Sequence, residues 1–211
     1  MGRWIVLLDA DMLLLKNPVE NINSIVLKMK KDDNKIALCQ DMGSSVTVAQ
    51  TVEQFLNIFG DRTPIFKENT LTLDISRPYL NSGFVIFSTK FDFYEFKYHA
   101  DLMEGDMIWE QNAINLMCLE GLNYLLLDAK KWNLHGSKLL NSYSAGDDPF
   151  IIHMTGDSDS LDMGLFDITI DSTTIKFYYR YVKNKEIFNL QINFIQKLVN
   201  ENVILFSKYL M

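Results

Sequence analysis

Hydrophobic and polar positions alternate in blocks that predict a mixed α/β chain. Trp4 to Leu8 form a short apolar run after Arg3. Such a run predicts a buried strand over Arg3 to Leu8, of the kind found in a parallel sheet covered on both faces, with Asp9 at its carboxyl end. After Asn17-Pro18, with Pro suited to a first helical position, Val19, Ile22, Ile25, Val26 and Met29 recur at helical spacing until Lys30-Lys31. A strand is expected at Lys35 to Gln40. From Asp41 to Leu80 the pattern gives a helix over Thr51 to Phe59 inside a long connection punctuated by Gly60-Asp61 and Thr63-Pro64, the kind of segment that often serves as a lid. Asn81-Ser82-Gly83 leads into a buried strand over Gly83 to Ser88. Helices are expected over Phe93 to Met103 and Ile108 to Leu119, then a strand at Asn123 to Leu127 and a last core strand at Phe150 to His153. Between Glu186 and Lys208, Ile187, Leu190, Phe194, Ile195, Leu198 and Val199 trace an amphipathic helix. Strands alternating with helices make the class α/β, with no internal repeat.

With 211 residues, 48% of them apolar, the chain can bury one sizeable core. No window approaches the uninterrupted apolar length of a bilayer span, and an acidic pair stands near the N-terminus where a signal peptide would be apolar. Cys39 and Cys118 lie in apolar runs without metal-ligand spacing, which predicts buried free thiols, and no N-glycosylation sequon is present. These features give a cytoplasmic location as the expectation. The net charge is −7, yet residues 176–211 carry six Lys/Arg against two acids. An acidic body excludes nucleic acid as the main partner and suits a site that gathers a divalent cation. The basic, aromatic stretch from Lys176 to Lys185 reads as an edge strand followed by a packed helix; the competing reading is peripheral contact with an anionic membrane.

Four local features follow one another in order: Asp9-Ala10-Asp11, Asn81-Ser82-Gly83, Glu110-Gln111 and His153-Met154-Thr155-Gly156. Each borders an apolar run or opens a helix, and ligands of open α/β sheets bind beyond strand ends, where segments far apart in sequence can meet. Two carboxylates in D-x-D repel unless a cation sits between them, and hard divalent cations prefer carboxylate oxygen. His153 could add a nitrogen ligand, which favours manganese over magnesium. Gly156 would let backbone approach a diphosphate. Taken singly, Asp9 and Asp11 also suit a turn cap and a solvated acid, Asn81-Ser82 a turn, and Glu110-Gln111 a solvated first helical turn.

In that order the motifs resemble the retaining glycosyltransferases of family 8 and their relatives with the GT-A fold, of the glycogenin and bacterial galactosyltransferase type. The resemblance runs from about Trp4 to Gly156. It implies a GT-A-like (Rossmann-like) mixed sheet flanked by helices over residues 1–165, N-terminally truncated, followed by a basic and aromatic segment with an amphipathic helix over 166–211. It further implies that Asp9, Asp11 and His153 hold manganese, with magnesium as the alternative. Asp9, Ala10, Asn81, Ser82, Gly83 and Gly156 would then border a nucleotide-sugar donor, most simply a UDP-hexose. Glu110 and Gln111 would lie near the sugar hydroxyls and anomeric carbon, with transfer to a glycan, protein or lipid acceptor and retention by same-face attack.

This sequence departs from the family pattern at three points. Asp157-Ser158-Asp159-Ser160-Leu161-Asp162 stands where a diphosphate-binding Lys is usual, Glu110 replaces the usual Asp, and eight residues precede the D-x-D where about a hundred are usual. The last point gives the expectation that the reading frame continues upstream with a strand and nucleotide-binding loop, and that an unpaired sheet edge is left here.

Two rival functions share some of these residues. A haloacid-dehalogenase-like phosphatase would use Asp9 as nucleophile, Asp11 as general acid with magnesium, Ser88 or Thr89 and Lys130 as middle motifs, and Asp157 with Asp162 as the last. A non-catalytic metal- or sugar-binding module is the other.

Overall fold

The computed structural model describes residues 4–9, 12–41, 47–59, 63–135, 149–153, 161–170 and 173–182. Its centre is a four-stranded mixed sheet ordered β1 (Ile5–Leu8), β4 (Leu80–Phe87), β3 (Ile36–Gln40), β5 (Tyr124–Leu127). β4 runs antiparallel to both β1 and β3, while β3 and β5 are parallel. A smaller sheet orders β2 (Met12–Leu14), β7 (Ile151–His153) and β6 (Leu134–His135). A hairpin of β8 (Leu161–Ile170) and β9 (Thr173–Val182) follows, and the boundary expected at residue 165 falls within β8.

Strand alternation divides the core into two layers. Ala37, Cys39, Phe84 and Ile86 face α1 (Val19–Lys31) and α6 (Ala129–Trp132), packing with Met29, Trp132 and Ile151. Ile36, Leu38, Val85 and Phe87 face α5 (Trp109–Glu120), meeting Ile114, Met117 and Cys118. A third cluster joins α2 (Val48–Phe59), α3 (Pro64–Thr70) and α4 (Phe93–Leu102) to α5 through Val48, Phe66, Ala100 and Leu116.

Local chemistry explains some helix ends. The α1 stripe is as predicted, with Met29 buried and Ile22, Ile25 and Val26 packed beside it. Pro18 is the N-cap rather than the first helical residue. Lys28, Lys30 and Lys31 in its last turn complement the helix dipole. Asp33, just beyond, takes a left-handed φ of 52°. Asp92 caps α4 by accepting from Tyr94 N and Glu95 N at 2.9 and 3.0 Å.

Three expectations are corrected. β1 is an antiparallel edge strand, and its residues are 38–52% exposed rather than buried. Among the described residues it pairs with β4 alone, and all four of Ile5, Val6, Leu7 and Leu8 are about half-exposed. The Asp41 to Leu80 connection contains a second helix, α3, which Pro64 opens and which Asp106 caps from a distant loop, accepting from Ile65 N at 3.2 Å and Phe66 N at 2.8 Å. β4 begins at Leu80, so Asn81-Ser82-Gly83 belongs to the strand and does not precede it.

The predicted free thiols are found, with Cys39 and Cys118 both buried and free. Burial pushes the Cys118 thiol up to about 12 and raises Cys39 further. Among the described residues no helix is long and apolar enough to cross a membrane. The amphipathic helix expected between Glu186 and Lys208 lies outside the described residues.

Candidate functional site

The site forms where β1 ends and β4 begins. Pairing shifts between Leu38 and Cys39, so that Leu38 faces Val85 but Cys39 faces Asn81. β4 therefore bulges through Ser82-Gly83-Phe84, a device that re-aims side chains. Asn81 Oδ1 accepts from Gly83 N at 2.8 Å, and Gly83 O in turn accepts from Asp9 N at 2.9 Å. Met12 N donates to Asp9 O at 3.1 Å, closing the turn that carries the chain from β1 into β2.

Strand register brings His153 to this turn. Met12 lies opposite His153 in the β2–β7 pair. His153 is 1% exposed, and its Nε2 lies 3.5 Å from Asp9 Oδ2. Its Nδ1 lies 2.8 Å from Oδ1 of Asn133, itself fully buried. Gly83 makes room for the ring: a Cβ there would come within 2.7 Å of His153 Nδ1 and 2.6 Å of the Met12 methyl. The glycine is needed for close approach, not for an unusual φ.

A polar face of α5 closes the other side. Gln111 is 6% exposed; its Oε1 accepts from Ser82 N at 3.0 Å and Ser82 Oγ at 3.2 Å, while Nε2 donates to Asp41 Oδ2 at 3.2 Å. One turn later Asn115 Oδ1 accepts from Leu80 N at 2.7 Å, and its Nδ2 donates to Leu80 O and Gln111 O, each at 2.8 Å. Asn112 Oδ1 accepts from the Tyr79 hydroxyl at 2.6 Å, and burial pushes the Tyr79 phenol well above its ordinary value. Interior amides of this kind are retained where each finds partners.

Of the residues singled out from sequence, Asp9, Asn81, Ser82, Gly83, Gln111 and His153 are joined by this chain of contacts. Glu110 is exposed in the first turn of α5. Ala10, Asp11 and Gly156 lie outside the described residues, as do residues 157–160. Among the described residues no group of three or more His, Cys, Asp or Glu is gathered as a metal site; Asp9 and His153 are two such residues side by side. Sequence reading passed over Asp41 and Asn133. Asp41 ends a strand as Asp9 does, so the same signal was present; Asn133 follows a four-residue helix too short to show periodicity.

Ser88 and Thr89 do not fit the phosphatase pattern. Ile5 faces Phe87 while Leu8 faces Phe84, so both residues lie at the far end of the β1–β4 pair from Asp9. At ~3.3 Å per residue, that end is on the order of 15 Å away.

No family model and no curated protein matches the chain. It is similar to the crystal structure of mouse xyloside xylosyltransferase 1 in its apo form, with 16% identity and a TM-score of 0.45 over 72% of this chain. The matched part is 57% of that chain.

Proposed function

We propose that the chain carries the metal- and donor-binding part of a nucleotide-sugar glycosyltransferase, a hexosyltransferase resembling family 8 with a GT-A-like core. One observation carries this reading: His153, from the last strand of the small sheet, is packed on Gly83 with Nε2 3.5 Å from the carboxylate of Asp9. Three of the four ordered motifs thus supply one cluster, and Gln111 of the remaining motif is bonded to Ser82 beside it.

Asp9 and His153, joined by Asp11, would hold manganese or magnesium; a carboxylate beside a buried imidazole suits such an ion. When bound, the ion supplies Lewis-acid neutralisation of the diphosphate leaving group of a sugar nucleotide. The chain's own residues position the donor. Asn81 shapes the bulge through its bond to Gly83 N, and Ser82, whose hydroxyl donates to Gln111 Oε1, would accept from a donor hydroxyl with its remaining lone pair. Gln111 Oε1 already accepts two hydrogen bonds and its amide donates to Asp41, so it acts by holding Ser82 and Asp41 in place. That role suits same-face attack by the acceptor, with retention, better than a covalent intermediate on Gln111. Glu110, on the exposed first turn of α5, is the candidate contact to the sugar hydroxyls.

The direct test is release of nucleotide diphosphate across a panel of sugar nucleotides with manganese, comparing wild type with Asp9→Asn and Asp11→Asn. Turnover of at least one UDP-hexose is expected, reduced roughly a hundredfold or more in either variant. Activity that survives both substitutions overturns the reading.

A further inference from the structure

We propose that the chain carries a second binding site, for a small organic molecule with an oxyanion head, a carboxylate or a phosphate monoester, at the end of the sheet away from Asp9. A cleft of about 170 Å3 opens there, where the start of β1, the α1–β3 turn and the end of β4 meet. A cavity of ~150 Å3 can hold a molecule the size of benzene. Met29, which is fully buried, and Trp4 supply the apolar part of the lining.

The polar part is rich in free donors. Asn34 is 7% exposed, and among the described residues its side-chain amide has no hydrogen-bond partner. An amide buried this deeply is costly unless something pairs with it. Ser88, also buried, accepts from Lys90 N at 3.1 Å through Oγ, which leaves its hydroxyl proton to donate. Lys30 and Lys90 line the cleft as well, and the Lys30 ammonium stands 5.8 Å from the centre of the Trp4 ring. Donors outnumber acceptors, which selects an anion. The nearby negative groups are occupied. The Asp33 carboxylate is shared between Lys35 and Lys90, at 2.7 and 2.8 Å. At the carbonyl end of α1, Lys28 O accepts from Asp32 N at 3.0 Å and Met29 O from Asn34 N at 2.9 Å. Among the described residues Lys30 has no acidic partner, so its charge is left for a ligand.

None of these residues belongs to the Asp9 cluster, so the site stands or falls apart from the transferase reading. The test is 1H–15N correlation of the full metal-free chain titrated with phenyl phosphate, benzoate, inorganic phosphate and neutral benzyl alcohol. The protein has 3 tryptophans, so the indole signals are separable; that of Trp4, whose Nε1 has no hydrogen-bond partner among the described residues, reports on the cleft. Saturable shifts at Trp4, Asn34 and Ser88 are expected with phenyl phosphate or benzoate, the tighter of the two naming the head group, while Asp9 and Gly83 stay still. Lys30→Gln, a change on an exposed side chain, should weaken binding about tenfold. Asn34→Asp, which exchanges donors for a second carboxylate, should weaken it about a hundredfold. Inorganic phosphate leaves the apolar lining uncovered and should bind about tenfold more weakly or worse. Benzyl alcohol should give no saturable shift. The site is overturned if neither organic anion gives a saturable shift, if benzyl alcohol or inorganic phosphate binds as tightly, or if the shifts centre on Asp9 and Gly83. Undiminished binding by Lys30→Gln also overturns it, and that variant decides even where Asn34→Asp fails to fold.

Discussion

The two ends of the β1–β4 pair are built on opposite principles. At the site end Asn81, Gln111, Asn115, Asn133 and His153 are all buried and held by short bonds between mostly uncharged groups. At the far end, beyond Ile5 and Phe87, Asp33 stands in solvent with Lys35 Nζ at 2.7 Å and Lys90 Nζ at 2.8 Å. In the first region a lost partner strands a buried group; in the second, water replaces it. Charge is therefore plentiful where it matters little, and the side chains that define the site are held by packing and amides.

Three changes sharpen that contrast, beginning with the largest. Asn115→Leu leaves both backbone groups of Leu80 without their buried partner at the start of β4, and chemical unfolding should show a loss of about 3 kcal/mol. Gly83→Ala brings a methyl group against the His153 ring and the Met12 methyl. Met12 can yield, but the ring is held, so a loss of about 2 kcal/mol is expected in the same assay together with a greater loss of metal binding.

Asp33→Asn, at the solvated end, should be the mildest. Hydrogen bonds from Lys35 and then Lys90 hold the Asp33 carboxyl down at about 2. Its contribution to stability is present above the ordinary carboxylate value of about 3.9 and is lost as pH falls from there towards about 2. Melting curves across that window should show a small pH-dependent component, weakened by salt and absent from the variant. A large effect there would break the comparison.

What the sequence made legible follows the same division. Apolar runs and helical stripes placed β3, β4, α1 and α5 within a few residues, because burial imposes periodicity. Motif order gathered Asp9, Gly83 and His153 before any register was known. The reading failed where neighbours decide. Ile5 to Leu8 look like a central strand, but whether a strand is central depends on what lies on each side of it. α3 has seven residues and no cap of its own, since Thr63 makes no side-chain cap bond and Asp106 supplies the acceptors from about forty positions away. Asn133 carries no signal at all without the β6–β7 register that sets it beside His153.

We propose that a divalent cation binds between Asp9 and His153. Manganese is paramagnetic and broadens nearby nuclei, so sub-stoichiometric Mn2+ added to 15N-labelled protein locates it. Amide signals of Asp9, Gly83 and His153 are expected to disappear first, while those of Asp33, Ser88 and Lys90 persist, and His153→Ala should abolish the difference. Broadening that is uniform, or that begins around Asp33, would contradict it.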